Sequence, residues 1–126
     1  MKQGSIAVLA LALTLGAGAS ARAADDGFAA FWKAFAAAVG KDDKAALASM
    51  TTLNPGLDDN DTPLTFAKVH AALLKPAERT CLAKAKPRRQ VDATGATGYA
   101  VFCGQVIYGF SKTGGVWRFT DSSPND

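Results

Sequence analysis

Histidine and cysteine are scarce in this chain of 126 residues: His70 stands alone, and Cys81 and Cys103 are the only thiols. Their spacing is neither that of a Cys-x-x-Cys redox pair nor that of a zinc site, and one histidine does not supply the missing ligands. A membrane-spanning run is also lacking. The longest apolar or small-residue stretch, over 6–15, is about half of the roughly 20 residues a bilayer helix needs. Charge of one sign is not in large excess, with 14 basic against 11 acidic residues and a formal net charge of +3. That balance excludes a general nucleic-acid binder. No catalytic, cofactor or metal-binding motif stands out, so none of these groups is expected.

What is present begins with an address. Met1-Lys2 gives a positive start, the apolar run follows, and Ala21-Arg22-Ala23 places small residues where a signal peptidase reads. The expected leader covers 1–23, cut after Ala23, and a single domain covers 24–126. With no cysteine near the cut, lipid attachment is not expected. Without Lys2 and Arg22, the exported part carries twelve basic and eleven acidic residues, a formal charge of +1. Its location is periplasmic or secreted. In such an oxidising compartment the even cysteine pair reads as a disulfide, Cys81 to Cys103. A domain of about 100 residues is marginal without such a staple.

The exported part divides near Lys75. Before it, Phe28, Phe31, Trp32, Phe35 and Val39 recur at the spacing of one helix face. Asp25 or Asp26 can cap this helix and Gly40 can end it. Asp42 then caps a second helix over 44–50. Asn54-Pro55-Gly56 makes a turn, and Asp58-Asp59-Asn60-Asp61 a solvated loop. Those acids lack the alternating ligands and central glycine of an EF-hand, so calcium is not expected there. Thr62-Pro63 launches a third helix through Leu74, with Phe66, Val69 and Leu73 inward.

After Lys75 the pattern alternates, with strands over 99–103, 106–110 and 116–120 and a short one within 90–94. Thr113-Gly114-Gly115 reads as a hairpin turn, whereas Gly104 reads as a turn or as a bulge. The fold class is therefore α+β, with two to three N-terminal helices on one face of a C-terminal antiparallel sheet of three to four strands.

The opening helix with Phe31 and Trp32, the Asp42-Asp43-Lys44-Ala45-Ala46-Leu47 segment and the closing Phe110-to-Phe119 hairpin together resemble the NTF2-like (SnoaL-like, cystatin-like) superfamily. That resemblance implies a cone of helices against a curved sheet. It does not imply one function, because the superfamily holds enzymes, carriers and interaction domains.

Three sets of residues are candidates for a site. His70 reads as a general base or metal ligand, or as a structural helix residue. Lys84, Lys86, Arg88 and Arg89 form the one local charge asymmetry. They read either as a patch for an anionic partner, such as a lipid headgroup, a cell-wall polymer or an acidic protein face, or as a solvated connector. The aromatic side chains read as core or as a cavity lining, with Tyr99, Tyr108 and His70 as polar groups of such a pocket. The resulting expectation is a small exported binding or accessory protein, monomer or homodimer, that engages a protein partner or an apolar small molecule. The alternative is a small enzyme with an acid–base residue in a cone-shaped cavity.

Overall fold

The computed structural model describes residues 26–53 and 65–125. The leader, the Asn54-Pro55-Gly56 turn, the acidic stretch 58–61 and the Thr62-Pro63 cap lie outside the described residues.

The aromatic spacing produces α1 (Phe28–Lys41), with Phe28, Phe35, Ala38 and Val39 buried on one face. Its N-cap is not an aspartate but Gly27, at φ 82°, while Asp26 just before it fastens the start, Oδ1 accepting the Phe28 N–H at 3.0 Å. Its end corrects the expectation. Gly40 lies inside the helix, and Asp42 is the residue that turns left-handed, at φ 52° and ψ 46°. The next helix, α2 (Lys44–Ser49), is accordingly capped not by Asp42 but by Asp43, whose carboxylate accepts the Ala46 N–H at 3.2 Å. In α3 (Phe66–Leu73) the cap is Thr65, whose hydroxyl accepts the Lys68 N–H at 3.3 Å.

A further helix, α4 (Pro76–Lys84), occupies most of what reads as a basic connector. Pro76 is pre-set for the first turn, and Glu78 sits at the favourable end of the dipole. Leu82 is its one buried hydrophobic residue, so its apolar pattern is quiet.

The second half forms β1 (Arg88–Val91), β2 (Thr97–Cys103), β3 (Val106–Thr113) and β4 (Val116–Pro124). They make an antiparallel meander in the order β1-β2-β3-β4. Gly104, at φ 62°, is in the turn joining Cys103 to Val106. The irregularity lies instead at Gly109 and Phe110, which face Asp121 and Phe119 and leave Thr120 as the extra residue.

All helices among the described residues precede the sheet, and the α+β arrangement holds. The core runs between the helices and one sheet face. Phe35, Val39, Leu47 and Leu74 meet Tyr108, Phe110 and Phe119, all nearly or wholly removed from water. Fully burying one such large side chain contributes about 1.5–3 kcal/mol. The Cys81–Cys103 disulfide then ties α4 to β2, with the two Cα atoms 5.9 Å apart. Replacing both cysteines by serine is expected to lower stability by about 3 kcal/mol, the closure entropy of a loop of this size. A urea titration reads this as a lower midpoint, with a slope that rises because the unlinked denatured chain exposes more surface. An unmoved midpoint would show that the link constrains nothing.

Candidate binding face of the sheet

On the helix side the aromatic rings pack closely. The Phe28 ring stacks on Tyr99 at 3.7 Å and meets Trp117 edge-on at 5.0 Å. Phe35 meets Phe110 at 5.2 Å, and Trp32 meets it at 5.4 Å. Asp26 is the polar counterpart of this stack. Its Oδ2 accepts the Tyr99 hydroxyl at 2.8 Å, and its carbonyl accepts the Trp117 indole N–H at 2.8 Å. The Phe28 N–H and the Tyr99 hydroxyl together hold its pKa below the usual carboxylate value. Burial, then the hydrogen bond and charge of Asp26, push the Tyr99 hydroxyl up.

Tyr108 is completely buried, and its hydroxyl donates to the Leu73 carbonyl at 2.6 Å. Burial, then the nearby Glu78, raise its pKa well above the usual phenol value. Glu78 Oε1 is itself buried without a hydrogen-bond partner. His70 is a member of a clasp. Its Nε2 lies 2.7 Å from Asp42 Oδ1. Arg79 Nε stands 3.7 Å from the same oxygen, while Arg79 Nη1 donates to the Leu74 carbonyl at 2.7 Å. Three helices thus meet on one carboxylate. The His70 hydrogen bond, then the Arg79 charge, hold Asp42 below the usual carboxylate pKa.

An imidazole held by a carboxylate is half of an acid–base device. Neither His70 nor Tyr108 lines either of two cavities found among the described residues. No group of three His, Cys, Asp or Glu residues among those described is placed to hold a metal ion.

Both cavities lie outside the core. The first is a trough of about 360 Å³ on the sheet face turned away from the helices. Its floor is Gly98, Ala100 and Gly109, and Ile107, Thr120 and Asp121 rise around it. The floor is low because nothing larger fits. A Cβ on Gly109 would stand 3.0 Å from Asp121 Cβ, and one on Gly98 would stand 3.0 Å from the Phe110 carbonyl oxygen. Phe102 shares this face beside Ile107, 42% exposed, with the Arg88 guanidinium 5.4 Å above its ring. The second, of about 780 Å³, is an open cleft at the end of the sheet, lined by Asp26, Arg89, Thr97, Lys112 and Trp117. Tyr99 borders the trough.

Of the basic residues, Lys84 closes α4 and Lys86 lies just before β1. Arg88 and Arg89 open β1, where every residue is exposed. The structure therefore brings Arg88 and Arg89 to the sheet and leaves His70 and Tyr108 inside the helix packing. Sequence reading missed the Asp42–His70 pair, which spans 28 positions, and missed Asp26 as a hub. The one local signal was an aspartate two residues before an aromatic helix start.

Comparison with known proteins finds no match: no family model, curated protein or solved structure is significantly similar to this chain. No helix among the described residues is long and apolar enough to cross a membrane.

The carboxylates lead to two stability predictions. Asp42→Ala is expected to destabilise more than Asp42→Gly, by about 1 kcal/mol, because both lose the clasp but only glycine relieves the positive φ. Matched urea titrations decide it, and equal losses would contradict the strained-cap account. Second, Asp26, Asp42 and Asp92 all titrate below their ordinary value; Asp92 does so because the Thr94 hydroxyl and neighbouring backbone N–H groups bond it. Depressed carboxylates stabilise the fold above the unfolded-state pKa of about 4. That contribution is lost as pH falls through their lower folded values. Melting temperature should therefore decline steeply below about pH 4. A flat profile down to about pH 2 would contradict these assignments.

Proposed function

We propose that this is an exported, non-catalytic binding module that engages a protein partner through the outer face of its sheet. The observation that carries the reading is the contrast between the two sheet faces. One is filled by aromatic side chains from α1, and the other, uncovered by any helix among the described residues, carries a trough of mixed polar and apolar lining with an exposed Phe102 beside it. Small ligands bind where most of their surface can be enclosed. An open floor of glycine and alanine between strands offers little enclosure to a small molecule, yet suits an apolar side chain carried in by a protein surface. Export with removal of residues 1–23 belongs to the same proposal and is supported by the disulfide. So does the likeness to NTF2-like domains, supported by the order of helices and meander.

The Asp42–His70 pair supports a second reading, a small acid–base enzyme. Its weakness is that the imidazole commits its hydrogen bond to a three-helix clasp, away from both cavities.

Photo-cross-linking in the native exported fraction tests the first reading. A photoreactive residue at Phe102 should give a discrete protein adduct that Ile107→Ser weakens several-fold. The same residue at Lys33, on the exposed side of α1, should give none. No adduct at 102, or equal adducts at both positions, would overturn the outer-face reading.

A further inference from the structure

A sheet has two edges, and here they are treated differently. The outer edge of β4 is paired near its middle: the Phe119 N–H donates to the Met50 carbonyl at 2.8 Å, and the Thr52 N–H to the Phe119 carbonyl at 2.9 Å. Along β1 no described residue pairs with the outer edge. In an antiparallel ladder, alternate residues turn their N–H and C=O outward. The Asp92 N–H donates inward to Ala96, so Arg89 and Val91 present theirs to solvent.

The charge at this edge is one-sided. No acidic residue lies between Glu78 and Asp92, while Lys84, Lys86, Arg88 and Arg89 all do. Among the described residues, the ion pairs all converge on Asp42 and none involves these four. The cations also stand on both sides of the strand. Arg88 leans over Phe102 on the outer face, and Arg89 donates to the Thr97 hydroxyl at 3.3 Å on the other side.

These features select one occupant. A second copy pairing through β1 would set arginines against arginines, which is unfavourable. A flat anionic membrane would meet only one of the two sets of cations. An extended peptide alternates its own side chains, so it can offer carboxylates to both faces while its backbone bonds to the edge. We propose that β1 receives an extended, acidic segment of a partner protein as a fifth strand. This inference deepens the protein-binding reading and rests on it.

A random-peptide library selected against the disulfide-bonded protein tests it. Recovered peptides should be rich in Asp and Glu, and their binding should weaken with added salt. Val91→Pro removes an outward N–H without touching the ladder or the charges. It should weaken a recovered peptide at least about tenfold. Arg88→Ser with Arg89→Ser should do likewise, and retained melting behaviour confirms that both variants fold. On binding, hydrogen exchange should slow at the Arg89 and Val91 amides. Peptides without acidic enrichment, or indifferent to Val91→Pro, would overturn the edge proposal and leave the outer-face reading intact. The edge proposal falls in the same way if no peptide is recovered while cross-linking at Phe102 still gives an adduct. Failure of both experiments would overturn the two together.

Discussion

Everything in this domain depends on the contact between one helix and one sheet face. Phe28 and Phe35 of α1 press onto Tyr99, Phe110, Trp117 and Phe119. A chain of about 100 residues has few large apolar side chains beyond those its core requires. Committing most of its aromatics to this contact fills the space between α1 and the sheet among the described residues, and the two cavities described above open beside it. The Asp26 hub matters for the same reason. By bonding the Phe28 N–H, the Tyr99 hydroxyl and the Trp117 indole, it fixes α1 over the sheet and leaves none of these donors stranded.

The remaining helices are held by two devices of different kinds. Asp42 adopts a left-handed conformation that costs an aspartate more than a glycine. In that position its carboxylate reaches both His70 and Arg79. The disulfide then ties α4 to β2. The imidazole that most invites a catalytic interpretation is thus accounted for by packing, and the thiols by covalent bracing. The outer face, Phe102 and the arginine-bearing edge have no such structural duty.

Much of this was legible in the sequence, and the exceptions have physical causes. The α1 face, the three long strands and the cysteine pair announced themselves through periodicity, Gly114-Gly115 and compartment. α4 did not, because Leu82 is its single buried hydrophobic residue and its other positions look like a solvated basic run. The exact limits of β1 were hidden for the same reason: every residue in it is exposed, so no alternation appears. Gly40 was the natural helix terminator by conformational cost, but Asp42 takes the role because its side chain gains partners that no local pattern reveals. The site is less legible than the fold. The trough is made by what is missing at Gly98 and Gly109, and its position on the outer face depends on strand register.

The filled interior is the claim on which the rest stands, and native mass spectrometry of the protein isolated from its own cells and medium tests it most directly. The account predicts the disulfide-bonded chain with no small molecule retained, even under the gentlest activation. A stoichiometric apolar ligand that leaves only on activation would contradict it, because such a ligand needs more enclosure than the trough or the open cleft beside Trp117 provides.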